Sequence, residues 1–164
     1  MTTDEDHEAR AKNWVLKMVG GPQLIGPAGI PPHVYWLLAT VLDPEAATFM
    51  DYVVEIGSTL ETATGSVVVI GDGQIVRIVL TDSPVRETDA LATLEILPTS
   101  AIESIEVRGS AYPESSKSSE PGIVTVRLAG AEPLALPLST RQVDVPELVC
   151  SLRDAAGWTN GPPR

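Results

Sequence analysis

The chain has 164 residues, 43% of them hydrophobic, and a formal net charge of -11. That length suits one compact domain with its own core. The acidic balance, with no run of Lys and Arg anywhere, opposes nucleic acid and anionic membrane as partners, because both are bound by clustered basic side chains.

Taken in order, the chain opens on an expected helix over Thr3 to Val19. Thr3 is placed to cap it, Asp6 completes a capping-box-like pattern, Asp4, Glu5, Asp6 and Glu8 lie at the positive end of the dipole, and Lys12 and Lys17 lie toward the other. Ala11, Trp14, Val15 and Met18 fall on one helical face, a stripe that either packs on the protein's own sheet or docks on a partner. Gly20 to Pro32 is a Gly/Pro-rich connector. It lacks the Gly-Lys-Ser/Thr ending of a phosphate loop, and its prolines remove backbone donors. Residues 1–32 therefore read as an N-terminal helix and arm, and 33–164 as a single β-rich domain.

Val34 to Leu42 is apolar on both faces, and periodicity does not separate a buried strand from a helix there. Asp43-Pro44 resembles a helix start, and Phe49, Met50 and Val53 continue a helical stripe, so a short helix is expected near Pro44 to Val53. Strand character begins at about Val54. Ser66 to Thr81 reads as a β-hairpin: two β-branched runs meet at Gly71-Asp72-Gly73, where a tight turn needs the positive φ that Asp and Gly supply. Val76, Ile78 and Leu80 are its core face, with Arg77 and Thr81 opposite.

Thr81 to Asp89 reads as a polar turn around Ser83-Pro84. Leu91 to Leu97 should be a strand with Leu94 and Ile96 inward, Pro98 to Ala101 a corner, and Ile102 to Arg108 a strand with Ile105 and Val107 inward. Tyr112 to Pro121 is a hydrophilic, serine-rich loop that reads as disordered. Two strands follow, Ile123 to Leu128 and Leu134 to Leu138, and Pro133 and Pro137 mark the second as an edge strand. Asp144 to Ala156 is the best-defined helix, with a capping box at Asp144-Val145-Pro146-Glu147, a stripe of Val145, Leu148, Val149, Leu152 and Ala156, and a Gly157-Trp158 stop. The fold class is thus α+β, mainly β: an antiparallel barrel or strongly bent sheet of about seven strands, closed by a C-terminal amphipathic helix, with an N-terminal helical arm.

Strands in that order before one C-terminal helix, over roughly Tyr52 to Trp158, resemble a bacterial pleckstrin-homology-like barrel, and the corner Leu97 to Val107 also looks like the turn into a closing strand of small Sm-like barrels. The first resemblance implies a binding module for peptides or lipid headgroups, the second RNA binding. The first hairpin carries only Arg77 as a cation, which opposes both headgroup and RNA.

Residues that could carry chemistry are few. Only His7 and His33 exist, and there is no Gly-x-Ser-x-Gly elbow. His33, beside Pro31-Pro32, reads as a solvated loop residue, although an enzyme of this sequence would use it as its acid–base group. Asp4, Glu5, Asp6, His7 and Glu8 lack the glycine turn of a calcium loop and read as a solvated helix start, so no metal or cofactor is expected. Cys150 alone can form neither an internal disulfide nor a cysteine metal cluster, in keeping with a reducing compartment, and it lies off the stripe of the last helix. The acidic start Met1-Thr2-Thr3-Asp4 is unlike a signal peptide. No apolar run nears the roughly 20 residues of a membrane span. A cytoplasmic setting is expected, and three lysines beside eight arginines, with abundant Ala, Val, Gly and Pro, suggest a high-GC bacterial genome.

The leading expectation is a non-enzymatic protein-binding or assembly module that joins a protein partner or a second copy through Trp14, Val15, Met18, Trp36 and Trp158. The alternative is a small-molecule or peptide-binding barrel, and an enzyme ranks last.

Overall fold

The computed structural model describes residues 3–19, 30–59, 61–84, 92–109, 122–138 and 144–158. The chain divides into two compact units, one of Met1–Asp72 with Val76–Ile96 and one of Gly73–Ile75 with Leu97–Arg164.

In the first unit, helix α1 spans Thr3–Val19 and helix α2 Pro32–Val41, and strands β1 (Ala47–Ile56), β2 (Thr62–Gly71), and all but the first two residues of β3 (Gln74–Pro84) and the last two of β4 (Ala92–Pro98) follow. The four strands form a sheet in the order β1-β2-β3-β4. Thr3 is itself helical, so it opens α1 rather than capping it. Val34 to Leu42, open between helix and strand in the sequence, is helical because Pro32 sits at the first position with its fixed φ. Burial of Val34, Tyr35, Leu38, Ala39 and Leu42 then gives the helix a core face.

The helix expected near Pro44 to Val53 does not form. Asp43 does cap, its carboxylate accepting from Glu45 N–H at 2.9 Å, but it closes only a 3-10 turn over Pro44–Ala46. The run that follows, rich in aromatic and β-branched residues, enters β1 and pairs antiparallel with β2 from Ala47↔Gly71 to Ile56↔Ala63. Local capping chemistry was present, and long-range pairing overrode its continuation.

The hairpin between β2 and β3 turns on Asp72 and Gly73, at φ 49 and 70 degrees, both positive as a two-residue type I′ turn requires. Val76, Ile78 and Leu80 are buried as expected. They share one core cluster with Val67 and Val69 of β2, Ala11, Trp14 and Met18 of α1, and the inner face of α2. Strand β3 runs through Ser83 to Pro84, where the sequence had suggested a turn. The departure there is local: Asp82 takes φ 45 degrees, and its N–H donates to Thr64 Oγ1 at 3.2 Å. Leu94 packs on the cluster, but Ile96, expected inward with it, is 45% exposed, near the end of an edge strand.

The second unit holds β5 (Ile102–Arg108), β6 (Ile123–Leu128) and β7 (Leu134–Leu136) in that order, and helix α3 (Val145–Ala155). Thr99 N–H donates to Gly73 O at 2.8 Å within this unit. Val124, Val126 and Leu128 are buried, and a register shift between Ile102 and Ser104 brings Ile102, Ile105 and Val107 opposite them. Val107 lies on the inward face as the pattern requires, yet it is 44% exposed, because β5 is an edge strand and Val107 stands one residue from its end. β7 is an edge strand and stops at Leu136, short of the expected Leu138, as Pro137 cannot donate to a ladder.

Helix α3 matches its sequence closely. Asp144 accepts from Glu147 N–H at 3.0 Å, Val145, Leu148 and Leu152 are buried, and the helix contacts β6. Gly157 at φ 74 degrees ends it in a Schellman pair, Trp158 N–H to Arg153 O at 2.9 Å and Gly157 N–H to Asp154 O at 3.0 Å. The seven strands are thus divided between two antiparallel sheets, and no ladder among the described residues closes them into a barrel. No described helix is long and apolar enough to cross a membrane. Residues 20–29 of the Gly20 to Pro32 connector, residues 85–91 of the expected turn and strand start, and the whole of Tyr112 to Pro121 lie outside the described residues.

Candidate functional site: the outer face of the helical layer

Helices α1 and α2 lie side by side and run in the same direction, since the contacts advance along both together. Arg10 donates to Ala39 O at 3.0 Å, the Trp14 indole N–H donates to Leu42 O at 3.0 Å, and Lys17 reaches Pro44 O and, at 3.3 Å, Ala47 O. These donors answer carbonyls at and just beyond the C-terminal end of α2, where a helix leaves acceptors unsatisfied and its dipole favours cations.

That arrangement settles where the five residues singled out for partner binding lie. Trp14 (0% exposed) and Met18 (6%) are inside the unit's own core, so the surface they would offer a partner is already covered. Val15, 100° around the helix from Trp14, stands outside the buried stripe at 37% exposure. Trp36 points outward from α2 at 41% exposure, and its ring stacks on His7 of α1 with centroids 4.8 Å apart and an interplanar angle of 26 degrees. Leu16 is 60% exposed on α1. Trp158 is half-buried in the second unit, where it lines a groove of about 500 Å³ with Cys150, Arg153, Asp154 and Gly157. Cys150 is free and exposed, on the side of α3 away from its stripe.

His33 is the main correction to the chemistry. Far from being solvated, it is 4% exposed at the second position of α2, because Pro31-Pro32 starts a helix there instead of extending a loop. Its Nε2 lies 3.2 Å from Ser83 Oγ of β3, itself fully buried. A serine and a histidine in hydrogen-bond contact are two members of a nucleophile–base array; both are buried here, and the contact ties the start of α2 to the end of β3. The pairing spans 50 residues and leaves no local signal in the sequence. Asp51 is a second buried polar residue, 3% exposed in β1, with Oδ1 accepting from Tyr52 N–H at 2.9 Å. Nearby, burial of the Tyr35 phenol, with Tyr52 adding to it, pushes its pKa up to about 12.

Among the described residues no group of three or more His, Cys, Asp or Glu side chains is placed to hold a metal ion. The acids at the start of α1 point outward, and Glu8 pairs with Lys12 at 2.7 Å, which holds its carboxyl below the ordinary value. What the helical layer offers is therefore an exposed Trp36 ring stacked on a half-buried His7, with exposed Asp4 one turn before His7 on the same face. No family model, curated protein or solved structure matches the chain.

Proposed function

We propose that the protein is a non-enzymatic protein-binding or assembly module that docks its partner on the outer face of the α1–α2 layer. The observation that carries this reading is Trp36. Among the described large apolar side chains left exposed it is the one aromatic, and the His7 ring stacks on it. A Trp immobilised before binding contributes a large contact area at little cost in side-chain entropy, which is why Trp is enriched among residues that dominate interface energies. The inner face of α1 serves folding and its outer face recognition.

Photo-crosslinking in the native cell tests the reading. A photoreactive phenylalanine analogue at position 36 should give a discrete protein adduct that wild-type protein suppresses at a several-fold lower concentration than Trp36→Ala protein does, while the same analogue at exposed Arg127 of β6 should give none. Equal suppression by both competitors, or no adduct at position 36, contradicts it.

The groove along α3 favours the alternative reading, a small-molecule-binding module, because an indole and a guanidinium line a space of metabolite size. Native mass spectrometry that finds a bound metabolite, lost in Trp158→Ala, would move the assignment there.

A further inference from the structure

We infer that the occupant of the Trp36–His7 face is a lysine- or arginine-rich segment of a protein partner. This rests on the protein-binding reading above and adds the chemistry of the partner. All three basic side chains of α1 are engaged: Arg10 and Lys17 are turned inward onto the carbonyls of Ala39 and Pro44, and Lys12 is paired with Glu8. The carboxylates of Asp4 and Asp6 are exposed. Asp4 and Asp6 thus face solvent while Arg10 and Lys17 are tied to the fold. Asp4 stands three residues before His7, one turn away on the same face.

The aromatic pair at the centre of this field fits the same ligand. His7 covers one face of the indole, and what remains open of Trp36 is the strongest cation–π acceptor among the side chains. A Lys or Arg seated there lies within one helical turn of carboxylates, so the two attractions act together. A second copy of the chain suits the face poorly, since it would bring two molecules of net charge -11 together at their acidic helix starts. A nucleic acid is repelled by the same charges.

The test is an NMR titration of the full chain, reading the Trp36 indole N–H and the His7 ring, with three short synthetic peptides: one alternating Lys, Arg and Gly, one with Glu in place of the cations, and one uncharged and rich in Leu. The basic peptide alone should shift both signals, with an affinity that falls as salt is raised. Trp36→Ala should weaken that binding about 2- to 5-fold, the equivalent of one exposed cation–π contact, and Asp4→Asn with Asp6→Asn should flatten its salt dependence. A basic peptide that moves signals of other acidic regions and leaves Trp36 unmoved overturns the inference, as does an acidic peptide that shifts Trp36 equally. If only the uncharged peptide moves Trp36, the docking face stands and its basic partner does not; if none moves it, both fall.

Discussion

Helices α1 and α3 are both amphipathic, both open on acids and both bury one stripe, yet they are attached in different ways. Among the described residues α3 is held by apolar burial, with Val145, Leu148 and Leu152 against its sheet and its ends closed by its own caps. α1 adds polar ties to its burial, spending its indole and two of its cations on the carbonyls that end α2. The difference shows that a terminal helix with a weak stripe, followed by a Gly/Pro connector, can be an integral layer rather than an arm. Under the proposed function, its recognition surface is the side that folding leaves unused.

Substitutions can break this comparison, beginning with the most damaging. Trp14→Ala removes a fully buried indole and leaves Leu42 O without its donor, so a loss of about 3–5 kcal/mol is expected by chemical denaturation. Trp14→Phe, which keeps most of the volume, should recover all but roughly 1 kcal/mol of it. In α3, Leu152→Ala should cost about 2–5 kcal/mol through its cavity alone, and no polar rescue should exist there.

Tyr35 adds a pH signature to the α2 side. Its phenol is raised from 10.0 to about 12, so its contribution is complete below pH 10, where the phenol is neutral in both states. Above that the unfolded chain ionises first, and stability falls as pH rises to about 12. Denaturation midpoints measured across that window should show the decline, and Tyr35→Phe should remove it. Asp144→Ala should cost about 1 kcal/mol, the usual worth of an N-cap. Trp36→Ala should change stability least, because its ring is largely outside the core, and its effect should appear in binding instead.

Much of the fold was written in local chemistry. Asp72-Gly73 between β-branched runs defined the hairpin, and Asp144, Pro146, Glu147 and Gly157 bounded α3, because turns and caps act over a few residues. The stretch from Val34 to Val53 was not legible in this way. Its first half is apolar on every side, and its second half fits a helix stripe as well as a strand until β2 supplies the ladder that decides it. The candidate site was legible only in part. Trp36 was conspicuous as a tryptophan, but its stacking on His7, 29 residues away, and the burial of His33 against Ser83 come from packing that no short-range pattern encodes. Nor could the stripe Ala11, Trp14, Val15 and Met18 reveal which of its members would be covered, since that depends on α2.

The division of α1 into a core face and a free face underlies the whole account, and native-state hydrogen exchange tests it most directly. The amides from Ala11 to Met18 should exchange with protection comparable to the central strand β2, opening only when the first unit unfolds. Exchange of those amides orders of magnitude faster than β2, in a protein whose sheet remains intact, would contradict it: α1 would then be a detachable arm, and Trp14 and Met18 would return to the surface as binding residues.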